Sequence, residues 1–226
     1  SALKRKINIT NEEIVDDIST ISLIDTPNIG EKQVGAVTYT GNGTSVNVTG
    51  FGFQPDLVWI KMRSPHGYNN MIFDSSRGVH KHLSSDRSAT EFTSTNSLTA
   101  FGTDGFTYGN EASGNDSGDS HIAWGWKANG GTTSSNSDGS ITTTVQANTT
   151  AGFSIISYTG TGSAATIGHG LGAVPKFIII KRLSATASWP CYHTSLGNAT
   201  GILLNSNQAS YNSGTIKIIC PFLFKK

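Results

Sequence analysis

Two short segments combine an aromatic ring with side chains that donate and accept hydrogen bonds, a combination typical of carbohydrate recognition. One segment spans residues 65–70 and the other spans residues 189–193. Aromatic rings stack on the apolar face of a sugar, while amide and imidazole groups bind its hydroxyls. Ordinary packing of loop side chains is the competing interpretation. The predicted ligand-binding residues are His66, Tyr68, Asn69, Trp189, Tyr192 and His193.

The placement of the carboxylates argues against catalysis. Glycosidic cleavage normally takes two carboxylates that face each other roughly 5 to 9 Å apart. All 15 acidic residues lie at or before Asp138, and those from Asp56 to Asp104 are scattered along the sequence. The sequence has no Gly-x-Ser-x-Gly elbow, no His-Glu-x-x-His motif and no phosphate-binding glycine loop. We therefore predict a protein without catalytic residues that is not an enzyme.

Two patterns contain residue types that bind metal ions. His80 and His82 would share one face of a strand, and Asp116 and Asp119 place two carboxylates in one loop. Two imidazoles alone do not complete a zinc site, and the loop lacks the spacing of a calcium-binding EF-hand. A solvated histidine pair and a solvated loop are the favoured interpretations, so we predict no metal and no cofactor.

Two tryptophans form a third candidate. Trp124 and Trp126 point to the same side of a predicted strand, together with Ile122. Adjacent indoles can form a sugar-stacking platform, but the apolar Ile122 beside them favours burial in the core of a sandwich.

Composition excludes several classes of protein. Charged residues make up only 14% of the chain, below the usual value of about 25%, and the formal net charge is +1. Such a weak field does not favour nucleic-acid binding. No apolar run approaches the roughly 18 residues of a membrane span, and the basic start lacks the hydrophobic stretch of a signal peptide. The two cysteines, Cys191 and Cys220, permit one disulfide, although two buried free thiols are favoured.

Charge is distributed unequally between the two parts of the chain. The part up to and including Asp138 carries ten basic and fifteen acidic groups, a net −5, and the remainder carries six basic and no acidic groups, a net +6. Opposite charges at two ends of a molecule can guide head-to-tail packing of subunits. Composition drift between diverged segments is an equally good interpretation.

The segment 1–30 differs from the rest of the chain. Thr10 and Glu13 have the spacing of a capping box, which predicts a helix of about 10 to 14 residues that starts there. An isolated helix with an apolar stripe needs a covering surface. The predicted oligomer contacts are Ile14, Val15, Ile18 and Ile21.

From Val34 onward the sequence predicts an all-β fold, because short β-branched and aromatic runs alternate with Gly, Asn, Ser and Asp clusters. The runs 57–60 and 177–180 are apolar on both faces, which predicts central strands. The other predicted strands are 34–39, 44–48, 70–74, 98–101, 105–108, 120–127, 139–145, 153–158 and 189–193.

An internal repeat gives the strongest signal. Three ordered blocks recur at almost one offset, since 158 − 39 = 119, 175 − 55 = 120 and 192 − 73 = 119. The repeated blocks are 39–43 with 158–162, 55–61 with 175–181, and 73–78 with 192–197. Ile179 in the second block corresponds to Trp59 in the first. This exchange of one apolar residue for another predicts that Trp59 is a core residue. Nothing after Tyr211 matches 120–127, so the second copy is expected to be shortened, and either residues 216–224 replace the closing strand or the sequence stops early.

The flexible composition of residues 129–139 places the domain boundary there. We predict an arm at 1–30, a first β-sandwich repeat at 31–131 and a second, incomplete one at 132–226. Whether the repeats form one sandwich or two stays open.

The blocks also resemble a duplicated domain of marine bacteriophage virion proteins. The resemblance covers residues 34 to about 205 and rests on the strings YTGNGTS, GFGFQPDLVWIK, FDSSRG, AWGWKANGG, DGSITTTVQANTTAGFSIISYTGTG and GHGLGAVPKFIIIK. It implies concanavalin-like or jelly-roll β-sandwiches in a tail-fibre or appendage protein, made in the host cytoplasm and located in the virion. The expected partners are other virion proteins and further copies of the chain, with a trimer favoured for fibres.

The expected function is a non-enzymatic structural or adhesive component of a phage particle. The alternative is a carbohydrate-binding module with a glycanase-like fold, with or without weak hydrolase activity. A host surface glycan is a further expected partner. Neither nucleic-acid binding nor membrane insertion is expected.

Overall fold

The computed structural model describes residues 32–65 and 67–212. From Gln33 onward these residues belong to one compact unit. The described chain is all-β, with sixteen strands in several antiparallel sheets, an arrangement consistent with a β-sandwich. None of the described helices is long and apolar enough to cross a membrane.

The first half of the described chain, from Val34 to Trp126, contains two sheets. The larger has six strands in the order β1-β9-β3-β4-β5-β6, and the smaller has the order β2-β8-β7. A single helical turn, α1 (Ala112–Asn115), connects β8 to β9, although no helix is predicted there. The strands are β1 (Val34–Thr40), β2 (Val46–Thr49), β3 (Leu57–Met62), β4 (Met71–Asp74), β5 (Lys81–Ser84), β6 (Phe92–Thr93), β7 (Leu98–Gly102), β8 (Gly105–Tyr108) and β9 (Ser120–Trp126).

The main core contains side chains from both of these sheets. Alternate residues of β3 and β9 point towards it, and Gly125 of β9 leaves room for the ring of Phe51. A β-carbon at Gly125 would lie 2.6 Å from Cε1 of that ring. The buried residues of this core are Val48, Phe51, Phe53, Val58, Ile60, Met71, Phe73, Leu98, Phe106, Tyr108 and Ala123.

The second half also contains two sheets, with the orders β10-β11-β12 and β13-β14-β15-β16. A 3-10 turn, Thr194–Leu196, follows β14. The strands are β10 (Ser134–Asn136), β11 (Thr143–Asn148), β12 (Phe153–Ser157), β13 (Phe177–Ile179), β14 (Pro190–His193), β15 (Thr200–Leu203) and β16 (Tyr211–Asn212).

The sheet β13-β14-β15-β16 has the same strand pairing as β3-β4-β5-β6, displaced along the sequence by 119 or 120 positions. Val58 pairs with Phe73, and Ile178 pairs with Tyr192. The other cross-strand pairs match in the same way. They are Leu57/Asp74 and Phe177/His193, Trp59/Ile72 and Ile179/Cys191, Met71/Ser84 and Pro190/Leu203, Ile72/Leu83 and Cys191/Ile202, Lys81/Thr93 and Thr200/Asn212, and His82/Phe92 and Gly201/Tyr211.

Buried polar groups fix the segment that joins the halves. The carboxylate of Asp56, which is fully buried, accepts hydrogen bonds from the amides of Ala128 at 2.7 Å, Gly130 at 3.0 Å and Gly131 at 2.9 Å. The amide of Gly131 also donates to Oε1 of Gln146 in β11, at 2.9 Å. The start of the predicted flexible linker is therefore held by side chains of both halves, and β10 lies within the rest of it.

Several expectations from the sequence differ from the structure. The run 177–180 is predicted to be a central strand, but β13 lies at the edge of its described sheet. Strands β5, β6, β10, β15 and β16 are not predicted, because each has only two to four residues. The predicted helical arm, the oligomer contacts Ile14, Val15, Ile18 and Ile21, and residues 216–224 lie outside the described residues.

Candidate functional site

The outer face of the six-stranded sheet carries a row of partly exposed side chains. Trp59, Trp124 and Ala36 lie directly opposite one another on β3, β9 and β1. Lys61, Ile122 and Thr38 form the next row on the same face. We call these six residues the tryptophan face.

The two indoles of this face contact each other and are only partly exposed. Trp59 and Trp124 are half-buried and pack edge to face, with ring centroids 6.2 Å apart. Ala36 and Thr38 of the edge strand are exposed and have short side chains. Such a surface can accept the apolar side of a flat ligand against the indoles.

This placement corrects the prediction that Trp124 and Trp126 lie in the core of the sandwich. Ala123 and Gly125 occupy the core side of β9, and the tryptophans lie on the opposite side. Trp126 stacks on Phe153 of the second half, with ring centroids 6.4 Å apart. Trp59 also points to this face, where it packs against the second core cluster of Ile72, Leu83 and Trp189.

The predicted binding loop borders the tryptophan face. Nζ of Lys61 donates a hydrogen bond to the carbonyl oxygen of Tyr68 at 3.2 Å. The side chain of Tyr68 is exposed and that of Asn69 is half-buried, whereas His66 lies outside the described residues. The structure thus places Tyr68 next to a surface that sequence reasoning assigned to the core.

The second predicted set is mostly packed inside the protein. Trp189 is 3% exposed, and its Nε1 donates to the carbonyl oxygens of Ser84 at 3.1 Å and Arg87 at 2.9 Å. It packs in a cluster with Ile72 and Leu83 of the first half. The indole is therefore inaccessible to a ligand that arrives from solvent.

Tyr192 and His193 differ in exposure. Tyr192 is 5% exposed, while His193 is exposed and its Nδ1 accepts a hydrogen bond from the amide of Ser195 at 3.2 Å. The ring of His193 lies 6.3 Å from that of Phe177. No contact found among the described residues joins this set to Tyr68 and Asn69.

Two carboxylates of the first half, Asp74 and Glu91, share one guanidinium group. Arg77 forms an ion pair with Asp74 and a second one, at 3.0 Å, with Glu91. Nζ of Lys81 lies 4.0 Å from Glu91. The cations neutralise both carboxylates, and the arrangement stabilises the turn after β4 rather than opening a pair of acids towards a cleft.

Two histidines are buried beside aromatic rings. His121 stacks on Tyr39 at 5.0 Å, and His82 stacks on Phe92 at 5.5 Å. Burial lowers the pKa of each imidazole, so both are neutral near pH 7. Within the described ranges there is no group of three His, Cys, Asp or Glu side chains that could hold a metal ion. Cys191 is buried, and burial raises the pKa of its thiol; Cys220 lies outside the described residues.

Fold and surface together define an all-β protein of antiparallel sheets whose first half presents an aromatic face. The chain belongs to the DUF7483 family, described as a domain of unknown function, which it matches over residues 30–219. Searches of curated proteins and of solved structures found no match.

Proposed function

We propose that this DUF7483 chain is a non-enzymatic structural or adhesive component of a bacteriophage particle. The observation that carries the proposal is the matched strand registers of β3-β4-β5-β6 and β13-β14-β15-β16. They support a tandem duplication of one folding unit, and we infer that both copies are β-sandwiches of concanavalin-like or jelly-roll type.

The buried polar groups support a structural role. Asp56 binds the segment between the halves, and Asp74 shares Arg77 with Glu91. Asn115 in α1 donates to the carbonyl oxygens of Thr44 and Gly109. Each of these groups binds another segment of the fold. Buried polar groups that have all their partners make a fold rigid, which suits a structural component.

The assignment to a virion is supported by the sequence blocks that resemble phage appendage proteins. On this assignment, the partners are other virion proteins and further copies of this chain. The chain is then located in the phage particle. The unequal charge of the two parts of the sequence, −5 and +6, supports head-to-tail contacts between subunits.

Immunogold electron microscopy tests this assignment directly. Antibodies raised against the purified chain are applied to purified particles of a phage that encodes it. The proposal predicts gold at a fixed position on the particles, with none on particles of an unrelated phage. Label confined to the soluble fraction of the lysate would refute it.

A carbohydrate-binding module is the second candidate function, favoured by the tryptophan face beside the Tyr68 loop. We predict saturable micromolar binding on a glycan array, lost in Trp124→Ala because the stacking ring is removed and reduced in Tyr68→Ala. Tyr158→Ala is the matched control, since Tyr158 is an exposed aromatic residue of the second half. Thermal melts establish that each variant is folded.

If no glycan on the array is bound, or if Trp124→Ala binds as well as the parent chain, the carbohydrate-binding function is refuted. The structural proposal would remain.

A further inference from the structure

A cleft lies where the first half of the described chain meets the second, and its volume is about 470 Å³. The loop between β5 and β6 forms one side, and residues from the second half form the other. The lining residues are Asp86, Arg87, Ser88, Ala89, Thr186 and Asn205. Ligand sites commonly have volumes of about 300 to 1,000 Å³ and often lie where two units of a fold meet. We propose that this cleft binds a pyranose sugar, at a site separate from the tryptophan face.

Two of the lining residues occupy the same position in the repeated units. Oδ1 of Asp86 accepts a hydrogen bond from the amide of Asn70 at 3.2 Å, and Oδ1 of Asn205 accepts one from the amide of Trp189 at 3.0 Å. The two contacts correspond, since 189 − 70 = 119 and 205 − 86 = 119. Because the backbone holds Oδ1 in each case, the second carboxylate oxygen of Asp86 and the amide nitrogen of Asn205 are left to meet a ligand. Neither of these two atoms has a hydrogen-bond partner among the described residues.

The loop after β5 is fixed to the second half by its carbonyl oxygens. Nε1 of Trp189 donates to the carbonyl oxygen of Arg87 at 2.9 Å. The carbonyl oxygen of Ser88 accepts from Nζ of Lys181 at 3.0 Å and from the amide of Ala187 at 2.8 Å. Both sides of the cleft are therefore held in place before a ligand arrives, which lowers the entropy cost of binding.

The polar groups of the cleft match hydroxyl groups, which both donate and accept hydrogen bonds. The carboxylate of Asp86 accepts, whereas the amide nitrogen of Asn205 and the guanidinium of Arg87 donate. The hydroxyls of Ser88 and Thr186 do either. A pyranose ring carries several neighbouring hydroxyls, which use both kinds of group at once.

Other classes of small ligand fit these residues less well. An anion such as phosphate would meet the carboxylate of Asp86, whose charge repels it. A calcium ion takes about six to eight oxygen ligands, and Asp86 supplies the single carboxylate among the described lining residues. These lining residues also include no aromatic ring, so a flat aromatic ligand would have no surface on which to stack.

The experiment is a nuclear magnetic resonance titration of the isotope-labelled full-length chain with the methyl pyranosides of glucose, galactose and mannose. We predict that at least one of them shifts the amide signals of Ser88, Thr186 and Asn205 in a saturable way. A site with hydrogen bonds but no stacking ring binds weakly, so the dissociation constant should be on the order of 1 mM. If none of the sugars shifts these signals at concentrations well above this value, the inference is overturned.

The variant Asp86→Asn separates sugar binding from folding. Its side chain keeps an oxygen for the amide of Asn70, but the other atom donates a hydrogen bond instead of accepting one. We predict roughly tenfold weaker sugar binding by this variant. Asp138→Asn is the matched control, because it makes the same change at an exposed aspartate outside the cleft, and it should bind as the parent chain does. Equal binding by the two variants would contradict the inference.

Asn205→Asp tests the opposite side of the cleft. It keeps the oxygen that accepts from the amide of Trp189 and loses the donor nitrogen, so binding should weaken here as well. The amide spectrum of each variant without sugar shows whether its fold is that of the parent chain.

The inference extends the carbohydrate-binding candidate to a second site and does not depend on the virion role. If the sugars shift the amide signals of Trp59 and Trp124 but not those of the cleft, the cleft inference fails and the carbohydrate-binding function remains. Saturable shifts confined to the cleft, and weakened by Asp86→Asn, would establish the proposed site.

Discussion

At the scale of single residues, the buried carboxylate of Asp56 fixes the junction between the halves. It accepts hydrogen bonds from three backbone amides and, at 2.8 Å, from the hydroxyl of Ser75. Loss of this acceptor leaves the amide of Ala128, which is itself buried, without its partner, and removes one of the acceptors of Gly131 and Ser75.

We predict that Asp56→Ala lowers the free energy of unfolding by about 1 to 3 kcal/mol, measured by urea denaturation. Asp56→Asn retains one acceptor oxygen and should lie between this variant and the parent. Asp138→Ala is the control, since Asp138 is exposed and should change stability by less than about 0.5 kcal/mol. Equal stability of the Asp56 and Asp138 variants would show that the junction does not depend on this carboxylate.

His121 predicts how stability depends on pH. Burial lowers its pKa, against the opposing effects of Asp119 and Asp116. The unfolded chain therefore binds a proton more readily than the folded one, and stability is present above the unfolded pKa of about 6.5 and is lost as the pH falls below it.

The expected slope for one such group is up to about 1.4 kcal/mol per pH unit, measured by urea denaturation between pH 7.5 and 5.5. His121→Phe keeps an aromatic ring against Tyr39 and removes the titration, so its slope should be smaller. His82 shifts in the same direction and accounts for part of the remainder. An identical slope in parent and variant would contradict the assignment to His121.

At the scale of elements, the outcome for β9 shows what a sequence pattern can and cannot determine. Period-two alternation correctly predicts a strand, and it places Trp124 and Trp126 on one side. Whether the tryptophans or the small residues of β9 face the core depends on how closely the second sheet packs against β9. Only Ala123 and Gly125 indicate that this packing is close. Attention to the small residues rather than the large ones would have found the tryptophan face.

The close contact at Gly125 gives a prediction for this element. A β-carbon there would lie 2.6 Å from Phe51 and 2.9 Å from Pro55, so Gly125→Ala should lower the free energy of unfolding by about 1 to 3 kcal/mol. Gly67→Ala is the matched control, because nothing lies within 4 Å of its added carbon. The midpoints of thermal denaturation are measured for both variants. Equal midpoints would show that the two sheets can move apart at Gly125 without loss of stability.

Other elements were beyond prediction for physical reasons. Strands such as β5 and β16 are short and mostly polar, so they form only because a neighbouring strand supplies hydrogen bonds. Trp189 aligns with Asn70 in the repeat, and no local pattern indicates that its indole packs against Leu83 of the other half. The pairing of β13 with β14, in contrast, has the register expected if residues 175–181 repeat residues 55–61.

At the scale of the whole molecule, the proposed structural role requires that chains assemble with one another. The expected trimer and the unequal charge of the two parts both concern predicted contacts between chains. The predicted contacts Ile14, Val15, Ile18 and Ile21 belong to the same account, although they lie outside the described residues.

The solution mass tests the central claim, that this chain is an assembling structural protein, most directly. Light scattering on the purified chain should give a trimer, with three times the single-chain mass of 23.8 kDa. Deletion of residues 1–30 should lower the oligomer mass without unfolding the β body. The mass of a single chain at every concentration tested, with or without crosslinker, would contradict the claim.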